Sequence, residues 1–193
     1  MIKLLKYGNT NCYYVEGKNG SILVDTDWAG TLQACYKKIK ELDITKIDYL
    51  LITHYHPDHM GIAQEIIDNM NAKLLVIDIQ KDYLHCSDKI FEKDKKSKFT
   101  PINTEPLIIS CEESRKFLSD LGIDGEIIYT PGHSDDSISL ILDDGIAIVG
   151  DLYDLNSASA FNDDKINNSW KSILSHNISK ICYGHHDEQM LDK

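Results

Sequence analysis

The chain lacks any stretch of eighteen apolar residues, and its first eight residues lack the hydrophobic core of an export signal. Neither a membrane-spanning helix nor a cleaved leader is expected, and the protein is read as soluble and cytoplasmic. A CxxC pair is also missing. The five cysteines, Cys12, Cys35, Cys86, Cys111 and Cys182, are an odd number without paired spacing, so reduced and mostly buried thiols are the expectation. Cationic charge is scarce: Lys and Arg number 20 against 31 Asp and Glu, a formal net charge of -11. That balance argues against the broad basic face of a nonspecific nucleic-acid binder. No short-period repeat or low-complexity tract interrupts the sequence. With 193 residues, 42% of them hydrophobic, one domain over 1–193 is favoured.

What is present is histidine in a telling place. His54-Tyr55-His56-Pro57-Asp58-His59 puts four ligand-type side chains in one turn, directly after the apolar run 48–53. In an extended backbone, residues two apart point the same way, so His54 and His56 can converge on one ion. Pro57 ends the strand and turns the chain. Asp58 and His59 then project differently, just before Ile62, Ile66, Ile67 and Met70 recur at helical spacing, and can serve a second ion. Imidazole with carboxylate suits zinc, with iron, manganese or cobalt as alternatives, and no thiolate is in the cluster. Three later strand-like runs each end in a glycine followed by a ligand-type residue: His133 after Gly132, Asp151 after Gly150 and His185 after Gly184. Glycine there permits close backbone approach and a sharp exit from the strand.

With these residues the sequence resembles the metallo-β-lactamase superfamily, whose HxHxDH motif is matched by His54, His56, Asp58 and His59. The family's later single ligands fall on His133, Asp151 and His185, in order. The resemblance implies an α/β fold, a four-layer αββα sandwich of two mixed sheets flanked by helices. It also implies one ion held by His54, His56 and His133, a second by Asp58, His59 and His185, and Asp151 bridging. His186 is the alternative to His185, which is favoured as the residue after the glycine. Asp25 resembles the family's early structural aspartate and is read as supporting a ligand; Asp27 stands where glycine is common.

Turn chemistry and periodicity fit that architecture. Residues 17–20 join two strand-like runs, as do Asp144 and Gly145. Leu32, Cys35, Tyr36, Ile39 and Leu42 read as one helix; Ile166, Trp170, Ile173 and Leu174 read as another. Ser110 with Glu113 forms a capping box before Phe117, Leu118 and Leu121, with Gly122 as the stop. Residues 80–106 read as irregular, a substrate-selecting lid or insert. Lys89, Lys93, Lys95, Lys96 and Lys98 make a basic island there, read first as a solvated face; Tyr83, His85, Phe91 and Phe99 are the contacts a lid would offer. His85 and His176 are otherwise ordinary lone histidines. Residues 152–168, rich in Asn, Ser and Asp, form a second contact region.

The expected chemistry follows from the ions. A bridging water is acidified toward neutrality and attacks a carbonyl or phosphoryl polarised by the same ions. Asp58 orients that nucleophile and relays its proton; Tyr153 donates to a developing oxyanion; Ser134, Asp135 and Asp136 orient the imidazole of His133. The expectation is a di-zinc hydrolase of a small ester, thioester, lactone or amide. The alternatives are a phosphodiesterase or ribonuclease-type hydrolase, an iron-dependent redox enzyme of the same superfamily, and a non-catalytic binding module. β-Lactam hydrolysis is less expected, as is a dedicated glutathione thioesterase, because the chain ends soon after His185. The expected partner is a small-molecule substrate, with neither membrane nor nucleic acid, and a homodimer is open.

Overall fold

A computed structural model describes residues 1–94, 98–158, 160 and 162–191. Lys95 and Lys96 of the basic island, and positions 159 and 161 of the second contact region, lie outside the described residues.

The first half runs β1 (Ile2–Lys6), β2 (Asn11–Glu16), β3 (Ser21–Val24), α1 (Leu32–Glu41), β4 (Tyr49–Leu51), α2 (Pro57–Met60), α3 (Ala63–Met70), β5 (Lys73–Ile77), α4 (Asp88–Lys93) and β6 (Leu107–Ile109). The second half runs α5 (Cys111–Asp120), β7 (Gly125–Tyr129), β8 (Ile138–Leu142), β9 (Ile146–Gly150), α6 (Leu155–Ala158), α7 (Asp164–Leu174), β10 (Lys180–Tyr183) and β11 (Gln189–Met190). Strands β1 to β6 form one sheet in sequence order, the first three antiparallel and β3 to β6 parallel. The other sheet has the order β11-β10-β9-β8-β7, with β9 and β10 parallel.

Period-two alternation sorts the strands into layers. Tyr13, Val15, Ile22, Val24, Leu51, Leu75 and Ile77 of the first sheet meet Ile127, Ile138, Leu140, Ile148 and Cys182 of the second in one buried cluster. The intervening residues point outward. Tyr14, Leu23, Leu50, Leu74 and Val76 pack under α1 and α3 through Cys35, Ile39, Ala63 and Ile66. On the far side, Ile141, Ala147, Val149 and Ile181 pack under α7 through Ile166, Trp170 and Ile173. Both sheets are thus buried on both faces, which is why their strands read as continuous apolar runs. The result is the four-layer αββα sandwich.

Local expectations meet the structure with three differences. Pro57 does not simply turn the chain; it takes the first position of the one-turn helix α2, where its missing N–H costs nothing. The 80–106 stretch is not wholly irregular, since a 3-10 turn covers Asp78–Tyr83 and α4 follows. Phe91 on α4 is buried and packs inward, stacked on Phe99 at 4.0 Å and tilted against Trp28 at 5.1 Å. Strands β6 and β11 are additions to the sequence reading. Among the described residues no helix is long and apolar enough to cross a membrane, and all five cysteines are free.

Candidate metal centre

The ligand-type residues leave the two sheets at the same end of the sandwich. His54 and His56 follow β4, His133 follows β7, Asp151 follows β9 and His185 follows β10, while Asp58 and His59 ride on α2. His54, His56 and His133 form one group whose ligand atoms lie within 4.8 Å of one another; Asp58, His59, Asp151 and His185 form a second. Asp151 stands between them. Its Oδ2 is 3.3 Å from His185 Nε2, 3.7 Å from His133 Nε2 and 3.9 Å from His54 Nε2. Its Oδ1 is 3.2 Å from His59 Nε2. His185 Nε2 is also 3.0 Å from Asp58 Oδ2.

Two glycines make this crowding possible. A Cβ at Gly184 would stand 2.3 Å from Asp151 Oδ1 and 2.8 Å from His59 Cε1. Gly150 has φ +56, where L residues are strained, and a Cβ there would meet Thr53 Oγ1 at 2.5 Å. A bulge between Cys182 and Tyr183 sits opposite Gly150 and re-aims the end of β10.

Hydrogen bonds behind the imidazoles set which nitrogen faces the centre. Thr53 Oγ1 donates its single proton to Asp25 Oδ2 at 2.8 Å, so it must accept from His54 Nδ1–H at 3.1 Å, leaving Nε2 as the open donor atom. Asp25 also accepts from Thr53 N–H at 2.7 Å and from His59 Nδ1–H at 2.9 Å. This aspartate is buried and carries φ +63, a conformation usually left to glycine, but glycine would forfeit the carboxylate that holds both residues. Asn9 O accepts from His185 Nδ1–H at 3.2 Å.

The charge balance of the chain alone is informative. Burial, with His59 beside it, holds the His54 imidazole below its ordinary range, and burial also lowers His133. Burial works against a charged His59, yet the carboxylates of Asp25 and Asp151 outweigh it and raise it to about 10. Hydrogen bonds to Asp151 and then Asp58 raise His185 to about 10 as well. Burial opposes ionisation of Asp151, but His185 and His59 outweigh it and hold the carboxyl well below the usual range.

A divalent cation fits these residues on a physical criterion. His54 Nε2 is buried without a hydrogen-bond partner, and His59 Nε2 and Asp151 Oδ1, buried and facing each other at 3.2 Å as an ion pair, are not aligned as a hydrogen bond and have no other. Leaving such atoms unsatisfied costs about 1–3 kcal/mol each, and all three converge on the two groups. Imidazole nitrogens with carboxylate oxygens are a borderline-to-hard donor set of the kind zinc, iron and manganese accept.

Other sequence-level candidates sort clearly. His185 joins the second group, whereas His186 packs its ring against Tyr183 and accepts from Asn11 Nδ2 at its carbonyl. Tyr153 stands at the mouth, its ring 6.1 Å from that of His133. Ser134, Asp135 and Asp136 do not orient His133. Ser134 bonds Ser137, Asp135 pairs with Lys165, and Asp136 accepts from Tyr55 N–H, because the loop turns their side chains away from the imidazole. Of the lid contacts, His85 is exposed beside Asp88 at 3.0 Å and Phe91 belongs to the core. His176 lies 3.5 Å from Glu126, remote from the cluster. The Asp27 departure is accommodated: its buried carboxylate accepts from Thr10 N–H and Trp28 N–H and occupies space that a side chain at position 8 would need.

Residues that the sequence reading passed over are those of the β1–β2 turn. Thr10 Oγ1 donates to Asp58 O at 2.7 Å, and Asn11 Nδ2 donates to the carbonyls of Tyr183 and His186. Their only local signal is the polar run 8–11, which reads as turn chemistry. His133, Asp151, Tyr153, Ser157, His185 and His186 line an open cavity of about 320 Å³ above the centre.

The model of the metallo-beta-lactamase superfamily matches residues 5–185. A protein of Methanocaldococcus jannaschii named a probable metallo-hydrolase is 30% identical over 152 residues, covering 78% of this chain and 71% of its own length. Three further curated relatives are matched over 43%, 64% and 58% of their lengths, so their whole-protein activities carry over only as proposals. An archaeal metallo-beta-lactamase superfamily protein from Sulfolobus tokodaii superposes with a TM-score of 0.68 at 20% identity, covering 98% of this chain and 81% of the other. A protein solved in a di-iron-bound form gives a TM-score of 0.74 at 18% identity, covering 98% and 94%. At such identities these two structures establish the fold alone.

Proposed function

The chain belongs to the metallo-beta-lactamase superfamily, and from that premise we propose that it is a di-zinc hydrolase of a small ester, thioester, lactone or amide. One observation carries the reading: Asp151 stands between two separate donor groups at the floor of an open cavity of about 320 Å³. His54, His56 and His133 would hold one ion; Asp58, His59 and His185 would hold the other, with Asp151 between them. When bound, such an ion pair supplies an acidified water and polarises the bond under attack.

The chain's own residues do the rest. Thr53, Asp25 and Asn9 fix the imidazoles of His54, His59 and His185 with Nε2 forward. Asp58 presents a carboxylate beside His185 that can take the proton of the attacking water and pass it to the leaving group. Tyr153 at the cavity mouth is assigned the donor to the oxyanion. None of the described cavity-lining residues is Lys or Arg, while Asp154 is among them. A small uncharged acyl compound suits that wall better than a phosphodiester chain. The di-iron neighbour keeps iron as the rival metal, with redox chemistry as its consequence.

Elemental analysis of gently purified protein, paired with a lactone, a thioester, a phosphodiester and a β-lactam, tests the proposal. About two zinc ions per chain with turnover of the acyl compounds is the expected result. Iron with no hydrolysis moves the protein to redox chemistry.

A further inference from the structure

The three-histidine group is assembled from both sheets, and its members are far apart in sequence: His54 and His56 follow β4, while His133 follows β7. Nothing covalent near the centre keeps the two loops in register. A buried polar bridge does. Gln80, in the 3-10 turn after β5, is fully buried. Its Nε2 reaches the carbonyls of Ile52 at 3.0 Å and Thr53 at 3.2 Å on one loop, and of Asp136 at 3.0 Å on the other. Its Oε1 accepts from Ile77 N–H at 3.3 Å, which anchors the amide to β5. The bridge is reciprocated: Asp136 Oδ2 accepts from Tyr55 N–H at 2.7 Å, between the two histidines, and Ile138 N–H donates to Thr53 O at 3.0 Å.

The second group has its own and separate support. Asn11 N–H donates to Gly184 O at 2.7 Å, and Asn11 Nδ2 donates to the carbonyls of Tyr183 at 3.0 Å and His186 at 2.8 Å, gripping the backbone on both sides of His185. Among the described residues, the hydrogen bonds of Gln80 and Asp136 do not reach that loop, and those of Asn11 do not reach the loops of His54 and His133.

We propose that Gln80 and Asp136 are positioning residues for the His54, His56 and His133 group, locking the two ligand loops together and setting its ion affinity more strongly than that of the second group, to which it is joined through Asp151 and the Thr53–Asp25–His59 bonds. The inference rests on the two-ion reading given above. Donor atoms contributed by two sheets converge only if the sheets' loops are held to within a fraction of an ångström, and outer partners of this kind typically govern metal affinity by roughly 10- to 100-fold. The Gln80 amide suits its half of the clamp because it carries no charge that would compete for the cation.

The test is calorimetric titration of metal-free protein with zinc alone. His133→Ala and His185→Ala identify which binding step belongs to which group. Gln80→Met keeps the side-chain volume and removes the hydrogen bonds; it should weaken the His133-dependent step by roughly 10- to 100-fold and the His185-dependent step by clearly less. Asn11→Ala should do the reverse. Asp136→Ala should repeat the Gln80→Met pattern, and Asp136→Asn, whose amide oxygen still accepts from Tyr55 N–H, should restore wild-type affinity. The Asp136 pair carries the test if Gln80→Met does not fold. Equal weakening of both steps, or none, overturns the positioning role while two-ion binding by the wild type stands. Absence of zinc uptake by the wild type overturns the two-ion reading and this inference together.

Discussion

At the scale of single residues, Asp25 is the clearest case of a side chain whose worth is invisible until its partners are known. Its carboxylate accepts from Thr53 N–H, Thr53 Oγ1–H and His59 Nδ1–H, all within 2.9 Å, in a site closed to water. Asp25→Ala leaves three buried donors without a partner, and it should cost about 3–5 kcal/mol in the metal-free protein, read from urea unfolding. Asp25→Asn, which can still accept, should cost clearly less; equal losses would contradict the account. Reading the chain one residue at a time made the candidate donors legible: His54, His56, Asp58 and His59 share one turn, and His133, Asp151 and His185 each directly follow a glycine. Asp136 was read as orienting His133, and its actual bond to Tyr55 N–H shows why proximity in sequence is a poor guide inside a loop. The direction of a side chain there depends on turn dihedrals that spacing does not encode.

At the scale of elements, local rules worked wherever a complete local signal existed. The capping box before α5 is present in full, with Glu113 N–H donating to Ser110 Oγ and Ser110 N–H donating to Glu113 Oε2. Ser110→Ala should therefore lower stability by about 1 kcal/mol, with the unfolding midpoint shifting and the denaturant slope unchanged. Gly122 terminates the same helix region with φ +74, and the hairpin between β2 and β3 falls on the expected turn. Strand β6 was not legible, since three residues give too short a pattern; its pairing beside β5 makes it a strand. Phe91 was likewise misplaced in the sequence reading. It was expected among the contacts a lid would offer, but α4 turns it against Trp28 and Phe99, while Lys89 and Lys93 of the same helix are exposed.

At the scale of the whole molecule, the centre ties the two sheets together, so metal occupancy should register as global stability. Zinc at about 100 times its Kd should add about 2.7 kcal/mol per site. For a domain of this size that corresponds to a rise in Tm of roughly 5–10 °C per occupied site, about 10–20 °C for both, over chelator-treated protein, measured by scanning calorimetry. Asp151→Ala should reduce the rise, because its carboxylate stands between both groups; an unchanged Tm on chelation would contradict the metal reading. The kinds of donor atom available were determined by residue identity, and the faces of the strands and of the longer helices by residue spacing, because side-chain direction along one element follows its period. Which faces meet was decided only by the packing of one sheet on the other. That packing brought His133 to within 3.0 Å of His56, put His185 rather than His186 in the second donor group, and set Gln80 across two loops. The physical reason is that these contacts join residues far apart in the chain, so their geometry depends on sheet order and twist, which no local pattern specifies.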